Sequence, residues 1–91
     1  MGRTNADKAI IGVVAGNVAG LRRAARLSQE ELADLAEVDR TYISQVERGL
    51  RNLTISVLAR LANALKTTPD KLLIPRADSK KRPGPSTQRR A

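Results

Sequence analysis

Apolar residues recur at helical spacing through most of the chain. Val14, Val18, Leu21 and Ala25 form one stripe, with Arg22, Arg23 and Arg26 off it, and this predicts a first amphipathic helix. Ser28 and Glu31 have the spacing of a capping box, ahead of a second helix over 29–36 that buries Leu32 and Ala36. Asp39 suits the N-cap of a third helix over 40–48, which Gly49 can close. Thr54 opens a fourth helix with the stripe Ile55, Leu58, Leu61, Ala62 and Leu65. Thr68, Pro69 and Asp70 read as a cap, a Pro at the first helical position and an acid in the first turn. The fifth helix, over 69–73, then buries Leu72 and Leu73 and stops before Pro75. No stretch alternates apolar and polar residues as a half-buried strand would. The expected fold class is all-α, with five short helices.

Outside this pattern lie an N-terminal arm, residues 1–8, and a tail, residues 75–91; the body is 9–74. The tail, PRADSKKRPGPSTQRRA, has no large apolar residue and is expected to be disordered, because it cannot bury enough surface to offset its ordering entropy. Ile10, Ile11 and Val13 have no partner in a five-helix core; they either lengthen the first helix or serve a dimer interface. Gly12, Gly16 and Gly20 have the spacing of a membrane packing motif, but they read here as a weak first helix. The uncharged run Ala9–Leu21 is shorter than the ~20 residues a bilayer crossing needs. Asp7 before it and three arginines after it also argue against a secretory signal.

Composition narrows the chemistry. The 91 residues suffice for one domain, and they include no Cys and no His. Thiolate nucleophiles, disulfides, imidazole bases and the commonest zinc ligands are thereby excluded. No metal, cofactor or catalytic residue is expected, and no small-molecule ligand is evident. The lack of Cys agrees with a cytoplasmic location. The net charge of +8 favours polyanionic partners, nucleic acid before membrane. Most of the excess sits in the last 17 residues, where six Lys and Arg face one Asp. Residues 1–74 hold eleven basic against eight acidic side chains.

The third helix carries the most informative surface. At ~100° per residue, Arg40, Ser44, Arg48, Thr41 and Gln45 fall within an arc of about 140°, opposite Ile43 and Val46. One face must pack, and the other holds hydrogen-bonding side chains without an acid. Such a face suits a DNA major groove, where Arg pairs with guanine, Gln with adenine, and a Thr methyl touches thymine. It would equally serve as a solvated surface. The preceding helix and the tight turn near Glu37 and Val38 favour the groove, because together they give the order of a helix-turn-helix built from helices 2 and 3.

The segment LSQEELADLAEVDRTYISQVERGLRNLTISVLARLANAL resembles the DNA-binding domain of the phage Cro and repressor family, also called the XRE family, over roughly Val14 to Leu73. The run RTYISQVERGLRN further resembles the controller proteins of restriction–modification systems. The resemblance implies a lambda-repressor-like domain that binds double-stranded DNA as a homodimer and regulates transcription. It implies base reading by Arg40, Thr41 and Gln45, with Ser44 nearby. It implies phosphate contacts from Gln29, which would also steady the recognition helix, and from Tyr42, Arg48, Arg51 and Asn52. Glu47 and Arg22 match a structural ion pair. Glycine is usual in the family at three turns where this chain has Arg26, Glu37 and Lys66, and each costs roughly 1 kcal/mol if its backbone is left-handed. The proline common before the fourth helix is Leu53 here.

Leu50, Leu53 and Ile74 are candidate dimer contacts beyond the core stripe. Two rival functions share this fold: an antitoxin that represses its own operon, and a non-specific nucleoid protein. The basic tail has few apolar anchors for a toxin, which disfavours the first. The differentiated face of the third helix disfavours the second.

Overall fold

The computed structural model describes residues 4–75. It contains five helices: α1 (Asn5–Ala24), α2 (Gln29–Ala36), α3 (Arg40–Glu47), α4 (Ile55–Ala64) and α5 (Pro69–Leu72). There is no strand among the described residues, and no helix there is long and apolar enough to cross a membrane. Residues 76–91, most of the basic tail, lie outside the described part, as do residues 1–3 of the arm.

Caps explain where the helices begin. Ser28 accepts from the Glu31 N–H at 2.9 Å while Glu31 accepts from the Ser28 N–H at 2.8 Å, completing the expected capping box. Asp39 accepts from the Thr41 N–H, and Thr54 from the Val57 N–H. Two starts differ from expectation. The first helix reaches back into the residues read as an arm, because Thr4 and Asp7 form a second capping box, at 3.1 and 3.2 Å. Thr68 makes no side-chain cap for α5; its hydroxyl bonds Asp70 instead and holds that carboxyl below the usual range.

The ends of α1, α2, α3 and α4 share one device. The backbone turns left-handed at Arg26 (φ 61°), Glu37 (φ 60°), Gly49 (φ 74°) and Lys66 (φ 60°). Around each, two N–H groups fold back onto the last turn. Examples are Leu27 N–H to Arg22 O at 3.0 Å and Thr67 N–H to Ala62 O at 2.9 Å. This is the Schellman arrangement, and it satisfies carbonyls the helix would otherwise orphan. Three of the four sites carry a side chain where glycine would be unstrained.

α2 packs on α3 and α4, α1 on α3 and α5, and α4 on α5. Val18, Leu32, Ile43, Leu61 and Leu72 are the largest fully buried side chains at their meeting point. The stripes fail only at helix ends. Ile55, first residue of α4, is 85 % exposed; Ala25, the cap of α1, is exposed; and Leu73, just past α5, is exposed as well. Beyond the last packed turn, helical spacing points at no neighbour. Gly12 and Gly16 face open space, so they pack no helix.

Asn17 is the one buried polar residue of the described core, 3 % exposed. Its Nδ2 donates to the carbonyls of Leu72 (2.8 Å) and Ile74 (2.9 Å), with that of Lys71 at 3.4 Å. One turn is too short to be stable alone, and this amide ties the end of α5 to the middle of α1.

The strained turns can be tested singly. In Glu37→Gly, left-handed strain is relieved and an acid leaves the negative end of α2. The greater freedom of the unfolded glycine chain partly offsets both. A net gain of about 0.5–1 kcal/mol is expected, a rise of a few degrees in Tm on thermal melting. A lower Tm would show that Glu37 contributes a contact worth more than its strain.

Candidate nucleic-acid interface

Of the polar arc on α3, Arg40, Thr41 and Arg48 are exposed, whereas Ser44 within it and Gln45 at its margin are half-buried. Ile43 and Val46 are buried beneath it against the core. Tyr42 stands at the edge, partly buried and packed on the same core. Arg51 and Asn52 are exposed in the loop that follows. The helix therefore offers arginine, threonine and amide groups outward, and its only carboxylate, Glu47, is withdrawn from this face.

Glu47 is withdrawn because three donors hold it. Arg22 reaches across from α1 with Nε 2.7 Å from Oε2 and Nη2 3.1 Å from Oε1. The side chains are only 13 % and 6 % exposed. Gln29, first in α2, adds its Nε2 to Oε1 at 3.1 Å. Arg22 also spends Nη1 on the Leu27 carbonyl at 2.8 Å, in the link between α1 and α2. A bidentate, hydrogen-bonded pair of this kind compensates the desolvation that would otherwise penalise both charges. The hydrogen bond to Glu47 raises the Arg22 pKa further above its usual value, outweighing burial. A raised cationic pKa gives stability that is complete below the ordinary value and fades only as pH passes the folded one. Arg22 therefore stays charged at every ordinary working pH.

Through resemblance, the sequence paired Arg22 with Glu47 and gave Gln29 a steadying role toward the third helix; that Gln29 does so by bonding Glu47 was not foreseen. A glutamine amide carries two N–H bonds, and one of those of Gln29 is committed to Glu47. Equally unforeseen is a cluster beside the helix. Arg51 donates Nε–H to Gln45 Oε1 at 2.8 Å, and its guanidinium carbon lies 4.9 Å from the centre of the Tyr42 ring. The two glutamines are thus distinct, one bound into the scaffold and one held at the margin of the outward face.

Residues 19–72 match the helix-turn-helix family HTH_3. The chain belongs to that family, of XRE type. The control protein C.SmaI of Serratia marcescens is 49 % identical to this helix-turn-helix protein over 61 residues, which are 67 % of this chain and 73 % of that protein. Among solved structures, the hypothetical transcription factor NHTF from Neisseria superposes with a TM-score of 0.72 at 38 % identity, covering 76 % of this chain and 78 % of that one. The restriction–modification controller protein C.AhdI from Aeromonas hydrophila gives 0.67 at 41 % identity, over 70 % and 97 %. The expected all-α, five-helix fold is thereby established. The family and these relatives are regulators, not enzymes.

The ion pair makes a direct prediction. Glu47→Ala leaves Arg22 buried beside Gln29 with no carboxylate, and should lower folding stability by ~3–5 kcal/mol. Chemical denaturation measures this, and an unchanged midpoint would remove Glu47 from the scaffold.

Proposed function

We propose that this protein is a sequence-specific transcriptional regulator of the controller type. It inserts α3 into the major groove of double-stranded DNA. The observation that carries this reading is the outward face of α3, with exposed Arg40, Thr41 and Arg48 and its one acid drawn away by Arg22 and Gln29. On this reading Arg40, Thr41, Ser44 and Gln45 meet base edges. Tyr42, Arg48, Arg51, Asn52 and the second amide hydrogen of Gln29 meet phosphates, which set register without reading sequence. The similarity to control proteins supports the regulatory role, and action on DNA inside the cell accords with a cytoplasmic location.

The same reading makes the protein a homodimer on a pseudo-palindromic operator, since readers of this size gain specificity from two half-sites about one DNA turn apart. Leu50 and Ile74, two of the expected contacts, are exposed. Leu53 is half-buried against the core and so contributes less than anticipated. Ile10 and Leu73 add apolar surface around a groove floored by Ile11, Val14 and Leu58, which gives the lengthened α1 a role in pairing.

Selection of the full chain against a library of randomised duplexes tests both halves of the proposal. A two-fold symmetric consensus is expected, with a dimer mass in sedimentation. Gln45→Ala should weaken binding by ~1–3 kcal/mol at its own base pair and leave other positions unchanged. Uniform weakening on selected and random DNA would take Gln45 out of base reading.

Residues 76–91 carry five net positive charges, and we assign them affinity without selectivity. Each phosphate they neutralise contributes about −0.9 to the slope of log affinity against log salt. Deleting them should flatten that slope by a few units while preserving the preference between sites. An identical slope would mean that the tail never meets DNA.

A further inference from the structure

α3 ends at Gly49, whose left-handed backbone lets the Gly49 N–H bond Val46 O at 3.0 Å and the Leu50 N–H bond Gln45 O at 2.9 Å. The chain therefore doubles back along the helix it has just left, and Arg51 arrives beside Gln45. Two restraints fix the arginine there. Its guanidinium lies over the Tyr42 ring, which is held by the core, and its Nε–H is committed to Gln45 Oε1 at 2.8 Å.

The consequence falls on the glutamine. An unrestrained Gln amide can offer its oxygen or its NH2 to a base, and it pairs best with adenine, which presents an acceptor at N7 and a donor at N6. Here the oxygen is turned to Arg51, so the NH2 is what remains to project. A guanidinium at that oxygen also sets positive charge where the adenine amino group would have to dock. Guanine presents two acceptors, N7 and O6, and no donor at that edge.

We propose that Arg51 is a specificity-determining positioning residue: by holding the Gln45 carbonyl oxygen, it makes Gln45 a donor that reads guanine rather than adenine. This rests on the reading of α3 as the recognition helix and goes beyond it. It gives Arg51 a part in base selection distinct from any phosphate contact, because a phosphate contact strengthens every sequence alike.

Randomised-duplex selection with the full chain, its Gln45→Ala variant and its Arg51→Lys variant tests the assignment. Lysine keeps the positive charge but has no Nε–H to fix the amide. One base pair per half-site should lose its preference in Gln45→Ala, and in the unaltered protein that pair should be G·C. Arg51→Lys should lower the guanine-over-adenine ratio at the same pair by about five-fold or more, whatever happens to total affinity. The readout is a ratio at one position, which a general loss of stability or of phosphate contact does not move. An A·T pair at the Gln45-dependent position, or an unchanged ratio in Arg51→Lys, overturns the proposal while leaving sequence-specific binding intact. Failure of the unaltered protein to select any consensus overturns both.

Discussion

On the reading that α3 enters a DNA groove, a carboxylate on it is a liability unless something takes its charge. Glu47 sits on α3 next to the outward Arg48, and its two oxygens are shared between Arg22 from α1 and Gln29 from α2. The same contacts tie three helices at a single point. Arg22 continues the chain of bonds to the Leu27 carbonyl, so the link between α1 and α2 is fixed by the group that neutralises α3. The orientation of α3 is thus set from behind, with no demand on its outward side chains. That leaves Arg40, Thr41 and Arg48 free to differ between proteins of one scaffold.

The helix ends follow a second economy. Each of the first four helices terminates by one left-handed residue and two returning N–H bonds, yet only Gly49 adopts that conformation without strain. Strain at Arg26, Glu37 and Lys66 is tolerated because each Schellman turn satisfies buried carbonyls and steers the chain into the next helix. The one of these sites that carries glycine is also the one that returns Arg51 to α3. A Cβ at Gly49 would meet no atom within 4 Å, so what glycine supplies there is backbone freedom rather than room for a first side-chain carbon.

Local signals were legible in the sequence to the extent that they are periodic or short-range. Ser28 with Glu31, Asp39, Thr54 and Gly49 mark their helix ends because caps act over three or four residues. Leu32, Ile43, Leu58 and Leu61 lie on the stripes and are buried. Thr4 and Asp7 carry the same capping signal as Ser28 and Glu31, but glycines and a mixed apolar run beyond them obscured it. Ile55 and Ala25 were misplaced inward because periodicity does not say where packing stops. Asn17 lies among apolar neighbours on α1, a hint that it is buried, but its partners are 54 to 57 residues away. The contacts of Gln29 and Arg51 depend on tertiary placement and on a turn reversal, which no spacing along one helix encodes.

The bonds from Asn17 to the α5 carbonyls also impose an order on how the domain opens. α5 is a single turn whose terminal carbonyls are held by a side chain from α1, so it can detach while α1 stays folded. Unwinding the middle of α1, by contrast, removes the amide that holds these carbonyls and leaves α5 only its packing on α4 and the core. The two ends of the folded chain therefore form a hierarchy of exchange, with the α5 amides opening at a lower free energy than those around Val18. If Leu73 and Ile74 are buried by a second subunit, pairing closes the step at which unfolding begins. Amide protection of α5 would then depend on protein concentration while that of the inner core would follow global stability.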